Sequence, residues 1–102
     1  MKKGFSDLTG VSEALVNNGT STIVSIGANN NGVLIVKASI SGSADFTGYL
    51  RMGSIDIIDY SDGGTTAATI TQIENYFVPA GVAISMNSGN TKVNAHIVYR
   101  VL

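Results

Sequence analysis

The stretch from Val93 to Val101 alternates without a break. Val93, Ala95, Ile97, Tyr99 and Val101 are interleaved with Asn94, His96, Val98 and Arg100. A period of two sends successive side chains to opposite faces of an extended chain, so this run reads as a strand with one apolar face. The same period governs most of the chain from residue 20 onward. No helical spacing separates one such run from the next, which excludes parallel βαβ units and leaves antiparallel architectures.

Turn residues punctuate the alternation. Thr20 to Ile26 is a β-branched run closed by Gly27, and Asn29-Asn30-Asn31-Gly32 then predicts a hairpin. In the next strand Leu34, Val36, Ala38 and Ile40 form a wholly apolar face, expected toward the core, with Val33, Ile35, Lys37 and Ser39 opposite. Ser41 to Asp45 is a turn. Phe46 to Tyr60 reads as one long strand or as two separated at Gly53-Ser54. Ser61-Asp62-Gly63-Gly64 is a second hairpin signal, followed by a β-prone stretch over 65–78. Pro79-Ala80-Gly81 makes a tight turn, Val82, Ile84 and Met86 alternate, and Asn87 to Asn90 turns the chain again. The fold class is therefore all-β, an antiparallel β-sandwich or a jelly-roll-like barrel over residues 20–102.

Residues 1–19 differ. Phe5, Leu8, Val11, Ala14 and Leu15 recur at spacings of three and four, Ser6 and Ser12 suit helix caps, and Gly10 weakens any single helix. The expectation is an N-terminal arm, mobile or ordered by a partner, with a short helical turn over 11–16.

Composition narrows the function. The absence of cysteine excludes a disulfide framework and a thiolate metal site. Six basic and seven acidic residues give a net charge of −1, which offers no clustered positive field for a nucleic-acid backbone. No apolar run approaches the ~20 residues that span a bilayer. Gly4, Ser6, Asp7 and Thr9 follow Met1-Lys2-Lys3 where a signal peptide needs an apolar core, so secretion by that route is not expected. Charged residues make up 13% of the chain, against about 25% ordinarily. Such a surface keeps a free monomer in solution poorly and suits a protein that is covered when it works.

Chemistry-bearing patterns are sparse. His96 has no G-x-S-x-G serine turn to work with. Asp56, Asp59 and Asp62 are spaced three apart, point to different faces on a regular strand, and lack the D-x-D-x-D-G order of a calcium loop. No catalytic role, metal or cofactor is assigned. Tyr49 and Tyr60 are expected at the surface, where a rigid ring with a polar tip favours protein interfaces. Tyr99, on the apolar face of the last strand, belongs to the core.

Tyr76-Phe77-Val78-Pro79-Ala80-Gly81, the alternating strand after it, and Asn94 to Leu102 together resemble the closing part of small β-sandwich virion proteins of tailed bacteriophages. The size is similar to that of their head decoration, or cement, proteins. The resemblance implies a non-enzymatic virion component, assembled in the host cytoplasm, that binds the major capsid protein or other virion proteins as a homo-oligomer, a trimer by preference. It also implies that the arm attaches to the capsid through Phe5, Leu8, Val11 and Leu15 as anchors, for example by strand addition. Deleting residues 2–18 is then expected to abolish attachment and spare the fold. A tail, baseplate or fibre component is the neighbouring reading. A carbohydrate- or receptor-binding module using Tyr49 and Tyr60 is the alternative of another class.

Overall fold

The computed structural model describes residues 10–42, 47–61 and 69–102. They form eight strands: β1 (Val11–Asn17), β2 (Gly19–Val24), β3 (Val33–Gly42), β4 (Thr47–Met52), β5 (Ile55–Ser61), β6 (Thr69–Val78), β7 (Ile84–Ser88) and β8 (Val93–Val101). One turn of 3-10 helix, Ile26–Ala28, interrupts the β2–β3 connection. The strands make two four-stranded sheets, β1-β8-β3-β6 and β2-β7-β4-β5, in which every neighbouring pair is antiparallel. The pairs β1–β8, β2–β7, β3–β6 and β4–β5 are nested inside one another, so the chain is one long doubled ribbon rolled into two layers. That is the jelly-roll arrangement of a β-sandwich.

The period-two face of β8 is where the alternation put it. Val93, Ala95 and Ile97 are fully buried and Tyr99 packs against the core edge. They meet Ile35, Ala38 and Ile40 of β3 within the first sheet, and Leu50, Ile58, Ile84 and Met86 across the interlayer space. Burying such an aliphatic side chain is worth roughly 1.5–3 kcal/mol. Gly48 lies on the inner face of β4, where a Cβ would stand 2.7 Å from the Asn87 carbonyl oxygen and 3.2 Å from Ile40 Cγ2. The β7 backbone beside it and Ile40 in the facing layer together leave room only for glycine.

Three expectations are corrected. First, residues 11–16 are strand, not helix, and the sandwich already includes β1 from Val11. Ala14 and Val16 point inward while Leu15 points out, so the apolar residues serve two faces of a ribbon. A single helical turn cannot hold itself together in water, whereas β8 offers this segment a ladder from Val11↔Arg100 to Asn17↔Asn94. Second, the inner face of β3 is Val33 and Ile35, then Ala38 and Ile40. A bulge at Val36 against β8 inserts one residue and switches the face midway.

Third, Asn29-Asn30-Asn31-Gly32 closes no hairpin. β2 and β3 lie in different sheets, as do β5 and β6 on either side of Gly63-Gly64, although residues 62–68 are outside the described part. The hairpin within a sheet is at Gly53-Ser54, between β4 and β5. Asn29 makes the first crossing an arch. Its side chain is buried, its Nδ2 donates to the carbonyls of Pro79 (2.9 Å) and Val82 (3.0 Å), and its Oδ1 accepts from the Gly32 amide (2.9 Å). Its own carbonyl accepts from Gly81 at 2.9 Å, which pins the Pro79-Ala80-Gly81 turn to the arch.

Candidate functional site

The two outer faces differ in chemistry. On the β2-β7-β4-β5 sheet, a bulge in β5 sets Leu50 opposite Ile58 but Arg51 opposite Asp56, leaving Ile57 over. The extra residue brings Asp56 and Asp59 to the same face, beside Arg51 and Tyr49. Arg51 Nε donates to Asp56 Oδ1 at 2.6 Å, and its guanidinium carbon sits 3.8 Å from the centre of the Tyr49 ring. The hydrogen bond to Asp56 is the main reason the guanidinium pKa lies above its ordinary value. Slight desolvation opposes it, and the Coulombic pull of Asp56, Tyr49 and Asp59 adds to it. At the β2 edge Asn87 Nδ2 donates to Thr20 Oγ1 at 2.8 Å. On this polar face Arg51, Asp56, Thr20 and Asn87 find partners within the sheet.

The β1-β8-β3-β6 sheet presents cross-strand rows on its outside. Asn17, Asn94, Ser41 and Ile70 form one row. Leu15, His96, Ser39 and Gln72 form the next. Glu13, Val98, Lys37 and Glu74 follow, and then Val11, Arg100, Leu34 and Phe77. His96 Nε2 lies 2.8 Å from Glu13 Oε2 on the diagonal between β8 and β1. It is a cross-strand hydrogen-bonding partner on an outer face. Large apolar side chains stand exposed at the sheet margins: Leu15 (64%) on β1, Ile70 (62%) and Phe77 (54%) on β6.

The expected site residues are not gathered in one place. Phe5 and Leu8 lie outside the described residues. Val11 is half-buried on the outer face and Leu15 is exposed four residues further along the same edge strand. Tyr49 is half-buried under Arg51. Tyr60 is corrected from surface to core: it is 3% exposed and faces inward with Ile58. The parity of β5 after its bulge makes it so. Arg51, Ile70 and Asn29 carried no sequence signal. Arg51 needed the β5 bulge to gain its partners, Ile70 needed the sheet order to become marginal, and Asn29 sits in an ordinary polar turn.

No family model matches the chain, and no curated protein matches its sequence. Solved structures do. A pentameric capsid protein isolated from metagenomic phage sequences superposes with a TM-score of 0.66 at 22% identity, covering 92% of this chain and 61% of that one. The fold is similar to a phage capsid protein's. A second such structure, solved by iodide phasing, gives a TM-score of 0.67 at 22% identity and covers 92% of this chain and 64% of the other. The chain thus spans less than two thirds of the length of these capsid proteins. The match extends over nearly all of the described sandwich, so the overall fold is what the molecules share.

The Arg51 cluster is decoration on that fold. Arg51→Ala should leave the urea midpoint of unfolding within experimental scatter, because exposed ion pairs are screened and hold long side chains at an entropic cost. Equilibrium denaturation followed by circular dichroism checks this. A large loss would give the cluster a structural role.

Proposed function

We propose that the chain is a non-enzymatic structural protein of a phage virion, specifically a decoration protein that binds the assembled head as a closed homo-oligomer. The observation that carries the reading is the eight-strand sandwich, whose overall fold is held in common with pentameric phage capsid proteins. The low-charge surface and the apolar sheet margins support a molecule that is covered when it works. The resemblance of the closing strands implies a trimer, while the solved neighbours are pentamers. Both are cyclic, and the proposal is cyclic closure. The partner is the major capsid protein or another virion protein.

The physics is mass action. A protein that binds only the assembled lattice stabilises that state by about 2.7 kcal/mol per site at a free concentration of 100 times Kd. Copies joined in a ring engage the lattice together, which multiplies retention without new contacts. A sugar-stacking role is less well supported. Jelly rolls also serve as lectins, but Tyr60 is buried and one face of Tyr49 is occupied by Arg51.

The test uses particles of the phage that encodes the chain. Mass spectrometry of purified heads and tails is expected to find it on heads, in a copy number divisible by the ring number. Heads grown without it should release DNA at a lower temperature. Its presence on tails alone would transfer the role to the tail, and its absence from particles would end the virion reading.

A further inference from the structure

The sandwich has two lateral sides. β1 lies beside β2 on one, and β6 lies beside β5 on the other. Each sheet has an even number of strands, all antiparallel to their neighbours, so its two edge strands run in opposite directions. A second copy set alongside in the same orientation therefore brings its β6 antiparallel to β1 and its β5 antiparallel to β2. Both sheets continue across the junction at once. We propose that copies of this chain join head to tail through these two sides, the β1/β2 side of one against the β6/β5 side of the next, and that this junction builds the ring invoked in the reading above.

The side chains choose the alignment. With the rows level, Glu13 would stand directly against the next copy's Glu74, and like charges directly opposite repel. Sliding the next copy by one row, two residues, removes that clash. Leu15 then lies against the next copy's Ile70, joining the two most exposed margins of the sheet, and Glu13 faces Gln72. In the second sheet Thr20 shares a row with Asp59, and Thr22 lies one row further on. The same slide sets the Thr22 hydroxyl against the next copy's Asp59, a donor facing an acceptor. A two-fold pairing of β6 with β6 would stop at two copies and leave β1 with Leu15 uncovered, whereas the head-to-tail junction uses both sides of every copy.

The chain has no cysteine, so introduced thiols report cleanly. The full-length double variant Leu15→Cys/Ile70→Cys, mildly oxidised, should give a ladder on a non-reducing gel that ends at the ring number. Each single variant should stay uncrosslinked. Leu15→Glu, at a position already exposed, should sediment as a monomer with an unchanged circular dichroism spectrum. Crosslinking by either single variant would mean a two-fold junction and overturn the proposal. So would a double variant that fails to crosslink, or a Leu15→Glu protein that keeps the parent's oligomeric state. A ring that forms in this way but does not attach to heads would remove the head-binding reading and leave the junction standing.

Discussion

A variant lacking residues 2–18 is expected to lose its fold, not merely its attachment. The deletion takes away β1, whose Val16 is 7% exposed within the core cluster and whose Ala14 packs against it. It strips β8 of an entire ladder, Val11↔Arg100 through Asn17↔Asn94. It also removes Asn17, whose Nδ2 reaches the carbonyls of Thr91 (2.9 Å) and Val93 (3.0 Å) and steadies the β7–β8 loop. Domains of this size are stable by only about 5–15 kcal/mol. Losing a core-lining strand consumes most or all of that. Circular dichroism and a urea titration should show no cooperative transition at 25 °C. A cooperative transition with an undiminished midpoint would mean that β1 is dispensable. A truncation meant to probe the arm alone must stop before Val11, where β1 begins.

Asn29→Ala should cost about 3–5 kcal/mol of unfolding free energy. The side chain is 1% exposed and serves three backbone groups, the carbonyls of Pro79 and Val82 and the amide of Gly32. Alanine leaves them facing a space it cannot fill. Each buried polar group without a partner costs about 1–3 kcal/mol, partly recovered if water enters. Asn29→Asp should be almost as damaging, because a carboxylate keeps the acceptor for Gly32 but turns negative charge toward two carbonyl oxygens. The observable is a lower urea midpoint at an unchanged denaturant slope. A loss below about 1 kcal/mol would show that the arch and the proline turn hold together without this clamp.

How much of this was legible in the sequence depends on how local the cause was. The strand β8 could be read nearly residue by residue, because its alternation is unbroken and Val93, Ala95 and Ile97 on one face are fully buried. The short strand around Ile84 and Met86 was legible for the same reason, whereas at Gly53-Ser54 one long strand and two were both open, and the chain turns back there as a hairpin within one sheet. The face of β3 failed at Val36 and the surface position expected for Tyr60 failed beyond Ile57, both at bulges. A bulge adds one residue without changing composition, so nothing in the letters marks it, yet every face after it is inverted. The Asn-Gly signal at Asn31-Gly32 was right that the chain turns and wrong about what it meets next. A turn residue reports local φ and ψ, whereas the choice between hairpin and arch is made by partners tens of residues away. Asn29 looked like one more polar turn residue because two of its three partners, the carbonyls of Pro79 and Val82, lie in another loop. The margin formed by Leu15 and Ile70 became visible only when the sheet order placed β1 and β6 at opposite edges.

The nesting of the strands also bears on how the molecule comes into being. Since β1 finds its ladder on β8, the first-made strand of the ribbon waits at the ribosome for the last, and the innermost hairpin β4–β5 can form long before either layer closes. Contacts so distant along the chain make for high contact order and folding on the scale of milliseconds to seconds. Until that closure, the inward side chains of β3 and the long free edge of β6 are open to other nascent chains, which makes slow synthesis and low temperature the conditions that favour a soluble product.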